Sequence, residues 1–271
     1  MRFACPICSG ALEEHGGAAV CVGGHSYDKS KYGYYNLLVG NAGGVHGDNR
    51  EMVAARRAFL DMGYYEPLRE AVADTVLRHT VRCGAVLDAG CGEGYYTARI
   101  SEALLMRDGE SCISAFDISK DAVRAMKKRC PAVEGAVCGS YHIPAREGAF
   151  DTVVNMFSPN ASEEFFRVLK EHGTYVMVIP AREHLFELKA AIYDTPYKNE
   201  VQDTHLDGFA LVSATPLTYK VALNTPEAIS ALFYMTPYAY RTRPSDALRI
   251  TSLKSLDLTL DFLILVYSKC Q

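Results

Sequence analysis

The sequence predicts an α/β fold, a mainly parallel sheet with helices on both faces, preceded by a small module that needs a metal to hold it. Three observations carry this. From residue 51 onward, apolar runs of strand length alternate with helix-length stretches, the pattern of buried parallel strands joined by crossover helices. The first of those runs passes through a glycine-rich loop into a helix. Residues 1–38 are instead rich in Cys, Gly and Tyr, lack a long periodic apolar stretch, and carry two close Cys/His pairs.

In the N-terminal segment, Cys5-Pro6-Ile7-Cys8 is followed by Cys21 and His25, a C-x2-C-x12-C-x3-H spacing. Two close pairs separated by a loop let four side chains converge tetrahedrally, and thiolate with imidazole is a donor set that zinc favours. Gly10, Gly23 and Gly24 stand beside these residues, where tight knuckles need a permissive backbone. A segment this short builds no core unaided, so a structural Zn2+ is expected to fold it. His15 is a poorer fourth ligand than His25 because it sits mid-loop. Residues 39–50, with Asn41-Ala42-Gly43-Gly44, read as a linker.

Residues 51–271 form the second expected unit. Helices are predicted at Glu51–Leu60, Pro67–Arg78, Tyr95–Met106, Ser119–Arg129, Ala161–Lys170 and Glu183–Tyr193, and strands at 85–87, 112–116, 135–138, 152–157 and 175–179. Toward the end, Pro216–Leu223 reads as a strand and Thr225-Pro226-Glu227 as a helix start, with Thr225 the N-cap. Leu256–Phe262 alternates strictly, as a half-exposed strand at or near a sheet edge does.

Composition narrows the function classes. Charged residues make up 22% of the 271 and hydrophobic ones 49%, so a folded core is expected and general disorder is not. The net charge of −4 excludes a wholly basic nucleic-acid-binding surface but not a local patch. Nine cysteines, an odd number, with Cys83, Cys91, Cys112 and Cys138 in or beside apolar runs, suit a reducing compartment rather than a disulfide framework. No apolar signal region opens the chain, and no uncharged run approaches the roughly 18 residues of a membrane span. A cytoplasmic protein without membrane association is expected.

The chemistry centres on Val86-Leu87-Asp88-Ala89-Gly90-Cys91-Gly92-Glu93-Gly94-Tyr95. Glycines 90, 92 and 94 remove Cβ atoms where backbone must pass close to a ligand. The next strand ends in Asp117, a carboxylate able to accept hydrogen bonds from both hydroxyls of a ribose. The dinucleotide fingerprint is G-x-G-x-x-G, whereas the spacing here is G-x-G-x-G. The loop resembles the E/D-x-G-x-G-x-G motif of class I S-adenosylmethionine (SAM)-dependent methyltransferases. That resemblance implies their Rossmann-like seven-stranded sheet, SAM as cofactor, and cofactor contacts from Asp88, Gly90, Gly92, Glu93, Gly94, Tyr95 and Asp117. Many such enzymes carry an adenine-binding Asp after the third strand. Gly139-Ser140-Tyr141-His142-Ile143-Pro144 holds none, leaving Ser140 or backbone to substitute.

Across nearly its whole length the chain resembles a narrower family, the bacterial 23S ribosomal RNA guanine-N1 methyltransferases. The likeness rests on the zinc pattern, Tyr32-Gly33-Tyr34-Tyr35-Asn36-Leu37-Leu38, Glu51–Leu60, Gly63–Leu68, Cys91–Thr97, His184-Leu185 and Met235-Thr236-Pro237. It implies that a zinc-ribbon-like module over 1–38 helps to recognise a 23S rRNA hairpin, that Tyr65 and His184 lie at the SAM site, and that the protein is a homodimer. The family has branches acting on neighbouring hairpin-loop guanines, one associated with macrolide resistance. Tyr238-Ala239-Tyr240-Arg241-Thr242-Arg243 interleaves aromatics with arginines, as surfaces that stack on bases and neutralise phosphate do. Arg56, Arg57, Lys29 and Lys31 are further candidates for contacts to phosphate or to the SAM carboxylate. After the fourth strand, Asn155-Met156-Phe157-Ser158-Pro159 occupies the place where base-modifying N-methyltransferases carry Asn/Asp-Pro-Pro-aromatic. Asn155 and Ser158 are the candidates to orient the base and Phe157 to line its pocket; no residue stands out as a general base. Two other readings fit the same motifs: a small-molecule SAM methyltransferase with a structural zinc knuckle, and a non-catalytic zinc-ribbon interaction protein that binds SAM.

Overall fold

The structure, a computed structural model, describes residues 1–39, 47–200 and 203–270; most of the expected glycine-rich linker lies outside them. Strands β1 (Leu12–His15), β2 (Ala18–Cys21) and β3 (Ser26–Asp28) form a small antiparallel sheet in that order. Strand β4 (Tyr34–Asn36) departs from it and pairs in parallel with β7 (Glu134–Val137) of the large sheet, Tyr34 opposite Gly135 and Asn36 opposite Val137.

Between these two strands come α1 (Arg50–Asp61), α2 (Glu66–His79), β5 (Val86–Ala89), α3 (Tyr95–Asp108), β6 (Ile113–Asp117) and α4 (Lys120–Arg129). After β7 follow β8 (Phe150–Met156), α5 (Ser162–Val168), β9 (Leu169–Pro180), α6 (Phe186–Ile192), β10 (Phe209–Leu223), α7 (Pro226–Met235), α8 (Pro244–Thr251) and β11 (Leu256–Lys269). The large sheet has the order β10-β11-β9-β8-β5-β6-β7-β4. It therefore holds eight strands: the seven expected plus β4, lent by the N-terminal segment. Pairings from β4 to β9 are parallel, and β11 is antiparallel to both β9 and β10.

Local signals set the helix ends. Asn49, Ser119 and Thr225 cap α1, α4 and α7 by accepting the backbone N–H three residues on. Two elements and one side chain depart from expectation. Leu169 and Lys170 extend into β9 rather than α5, because Leu169 pairs with Phe150 and Lys170 reaches Asp151. α6 begins only at Phe186. The preceding residues instead bond to β11, Ala181 N–H to Asp261 O and Leu185 N–H to Thr259 O. Cys83 is exposed, whereas Cys91 and Cys138 are buried.

Strand alternation divides the core in two. Val86, Ile113, Val154 and Val176 face α1–α4 and α6–α8, while Leu87, Phe116, Val153 and Tyr175 face the other way. Among the described residues, α5 is the one helix on that second face. The N-terminal segment covers much of the rest, with Phe3, Leu12, Tyr35 and Leu37 buried there beside Ile143, Ala145 and Phe209. At about 25 cal/mol per Å2, burying such side chains contributes roughly 1.5–3 kcal/mol each, so the small module is part of the main core rather than an appendage.

Candidate functional site

Strands β6 and β7 lie on one side of β5, and the chain then returns to place β8 on the other. Open α/β sheets bind ligands at such a reversal, beyond the carboxyl ends of the strands. Here the reversal brings Ala89 opposite Asn155, so the glycine loop faces the segment after β8.

Each loop glycine meets a different demand. Gly90 has φ +81°, and a Cβ on it would lie 2.5 Å from Cβ and Oγ of Ser158. Gly94 has φ +86° and packs on Met126, 2.8 Å from a would-be Cβ. Gly92, φ +54°, has open space except for Nη1 of Arg56 at 3.8 Å. Asp88 is buried beneath the loop and accepts a hydrogen bond from Thr97 (2.6 Å); burial raises its pKa to about 6. Asp117 accepts the N–H of Gly92 (3.0 Å) and of Ser119 (2.8 Å). Its burial lifts the carboxyl pKa, and these two donors oppose the lift.

A cavity of about 860 Å3 opens at these strand ends, within the roughly 300–1,000 Å3 of small-molecule sites. Gly90, Asp117, Ser140 and Ser158 line it, as do backbone and side chains of 138–145. Its far wall is the metal-binding knuckle and the end of β4, with Pro6, Ser9 and Leu37–Val39. The knuckle is held there by Ala4 N–H on Pro144 O (2.7 Å) and a bridge between Phe3 and Ala145.

Other expected residues lie elsewhere. Glu93 turns away and pairs with Arg129 (2.7 Å), and the Tyr95 ring lies under the guanidinium groups of Arg69 and Arg129. Neither side chain lines the cavity. Tyr65 and His184 are buried together outside the cavity lining, their Oη and Nε2 3.5 Å apart, with Phe262 against both rings. Burial lowers the His184 pKa to about 3, so the ring is neutral. Nδ1 accepts the Asp261 N–H (3.3 Å), which leaves Nε2 to carry the proton toward Tyr65.

After β8, Asn155 donates to Ser158 Oγ (2.8 Å) and to Pro159 O (3.1 Å), and Ser158 donates to Ala89 O (2.9 Å). These two side chains fasten β8 to β5. Phe157 between them has φ +55°, a strained backbone for a bulky residue, and its ring is 45% exposed. Asp48 went unnoticed in the sequence because it sits in a segment without periodicity. Its carboxylate pairs with Arg56, and its carbonyl accepts from Ser119 Oγ (2.6 Å). Tyr240 is exposed. Arg57 and Lys29 are engaged by Asp61 and Glu14.

The metal-ligand set converges as its spacing demands. Ligand atoms of Cys5, Cys8, Cys21 and His25 all lie within 4.8 Å of one another. Cys21 Sγ and Cys5 Sγ stand 3.3 and 3.5 Å from His25 Nδ1, and Cys8 Sγ stands 3.5 Å from Cys21 Sγ. A tetrahedral zinc ion with ordinary bond lengths separates its ligand atoms by about 3.5–3.8 Å. Tyr27 Oη lies 3.2 Å from Cys5 Sγ, an outer partner for a ligating thiolate. Gly24, φ +79°, closes the second knuckle through its N–H on Cys21 O. His15 is at the end of β1, beside exposed Glu13 and outside the cluster.

Known proteins share both halves. A family model described as "Methyltransferase domain" matches residues 86–173, and one described as "RlmA, N-terminal", a zinc ribbon, matches residues 3–41. A Micromonospora griseorubida protein provisionally named a 23S rRNA (guanine-N(1)-)-methyltransferase is 32% identical over 89% of this chain and 88% of its own. A Bacillus subtilis protein with the same provisional name is 30% identical over 98% and 97%. The 23S rRNA (guanine(748)-N(1))-methyltransferase of Streptomyces fradiae is 36% identical over 69% and 66%.

Proposed function

This chain belongs to the 23S rRNA (guanine-N1)-methyltransferase family, and from that premise we propose that it transfers the methyl group of SAM to N1 of a guanine in a hairpin loop of 23S rRNA. The observation that carries the reading is the cavity at the β5–β8 reversal, walled on one side by Gly90 and Asp117 and on the other by the metal-binding knuckle. The fold and both family matches extend over these same walls.

The residues fit the cofactor. Asp117 would hold the ribose, Ser140 and the backbone after β7 would border the adenine, and Gly90 and Gly92 leave the loop bare where the amino-acid end would pass. SAM, when bound, supplies a methyl group on a positively charged sulfur that is itself a good leaving group. The protein's task is then orientation and exclusion of water. Phe157 offers an exposed ring at the β8 end on which a base can stack. The Asn155–Ser158 hydrogen bonds hold it there against its strained backbone. Neutral His184, with Nδ1 already accepting, is no base for the N1 proton.

Zn2+ on Cys5, Cys8, Cys21 and His25 is structural in this reading, since four protein ligands leave no open position. It keeps the module seated on the cavity, where an RNA hairpin reaches both. Tyr240 and the adjacent arginines extend that surface. A homodimer is part of the same proposal, as is action in the cytoplasm, where ribosomal RNA is made. Among the described residues no helix is long and apolar enough to cross a membrane.

The test is transfer of labelled methyl from SAM to 23S rRNA lacking the modification. N1 methylation blocks the pairing edge of guanine, so reverse transcription should stop at one hairpin-loop position. RNA that takes up no label would refute the proposal.

A further inference from the structure

Among the described residues, one side chain comes within 4 Å of where a Gly92 Cβ would be, and it is a cation. Nη1 of Arg56, on α1, stands 3.8 Å from where a Gly92 Cβ would be, and the guanidinium is partly shielded from water. Its partner is Asp48, an acid from the extended segment before α1. The three acids of the loop region are engaged otherwise: Asp88 by Thr97, Glu93 by Arg129, and Asp117 by two backbone N–H groups. A second observation comes from the first turn of α3. Tyr96 Oη is buried and, among the described residues, has no hydrogen-bond partner. A buried donor left unpaired costs about 1–3 kcal/mol.

We propose that Arg56 is the ligand of the cofactor's α-carboxylate, and that Asp48 occupies Arg56 as a stand-in that the cofactor displaces. The inference rests on the methyltransferase reading. One guanidinium takes one carboxylate in two-pronged fashion, so the exchange is like for like. Displacing Asp48 frees the segment whose carbonyl accepts from Ser119 beside Asp117. Cofactor binding is thereby linked to the start of α1.

Calorimetric titration of the full-length zinc-loaded protein tests this with two probes. S-adenosylhomocysteine carries the carboxylate; 5′-methylthioadenosine keeps the nucleoside and sulfur but lacks the amino-acid end. Arg56→Gln is expected to weaken S-adenosylhomocysteine at least about tenfold, as loss of a charge-assisted hydrogen bond does. It should leave methylthioadenosine within about twofold, a readout that a folding defect would not spare. Asp48→Asn is expected to tighten S-adenosylhomocysteine, and weaker binding would refute the displacement. Arg56→Gln that weakens both probes alike overturns the proposal, as does one that spares S-adenosylhomocysteine and weakens only RNA, which would make Arg56 a phosphate contact. A wild-type protein that binds neither probe refutes the methyltransferase reading itself.

Discussion

Replacing Gly90 by Ala perturbs the glycine loop at its tightest point, and the structure fixes the size of the effect. The new Cβ would stand 2.5 Å from Cβ and Oγ of Ser158. Ser158 must then move, and its two hydrogen bonds, to Ala89 O and from Asn155 Nδ2, are lost together. At about 1 kcal/mol each they contribute roughly 2 kcal/mol. The left-handed backbone adds about 1–2 kcal/mol for any residue with a Cβ. Gly16 serves as control: it has positive φ, +57°, but nothing within 4 Å of its would-be Cβ. Gly16→Ala should lose only the backbone part, about 1 kcal/mol, and Gly90→Ala about 3 kcal/mol. The chain has no tryptophan, so urea unfolding followed by far-ultraviolet circular dichroism is the assay. Gly90→Ala should also weaken S-adenosylhomocysteine binding. A Gly90→Ala protein as stable as the Gly16→Ala protein would refute the claim that the loop is packed against Ser158.

Zinc content measured by atomic absorption should be one ion per chain and vanish in Cys21→Ser. With the ion gone, hydrogen exchange at the Leu37 N–H, bonded to Val137 O, should accelerate as β4 leaves the sheet. Phe157→Ala should lower kcat/KM for RNA by about 10- to 100-fold, the worth of a stacked base, and leave the S-adenosylhomocysteine affinity within threefold. His184 supplies a pH dependence. Its folded pKa is about 3 against 6.5 for a free imidazole, so between those values only the unfolded chain takes up the proton. Stability therefore falls as pH drops from about 6.5 toward 3, by at most about 1.4 kcal/mol per unit from this group. Asp88, with its pKa raised from 3.8 to about 6, acts in the opposite sense over that narrower range. His184→Gln should flatten the decline on the acid side of pH 6.5; an unchanged slope would remove His184 from the account.

What the sequence disclosed was local. The ligand pairs 5/8 and 21/25 and the strand–loop–helix at 86–97 are each encoded within a few residues, because knuckles and glycine turns are short-range geometry. Destinations of individual side chains were not disclosed. Glu93 and Tyr95 sit in the motif, yet Arg129 and Arg69, from distant elements, draw them away from the cavity. Tyr65 and His184 came only from family resemblance, since the contact between them spans 119 positions. The helical pattern at 161–170 was real up to Val168, but pairing with Phe150 overrode local preference at Leu169. β4 was invisible because three residues, Tyr34–Asn36, have no measurable period and their partners lie a hundred positions on.

That last pairing has a consequence for how the protein is made. Synthesis delivers Tyr34–Asn36 to the growing chain first among the large sheet's strands, but Glu134–Val137 must follow before they can dock. Until then, the apolar residues at 35 and 37 have no neighbour to bury them. Metal capture needs only the first 25 residues, so it can occur early and hold the nascent end compact while the ribosome completes the partner. Limiting zinc during translation should accordingly lower the yield of soluble product more than stripping zinc from the finished protein does.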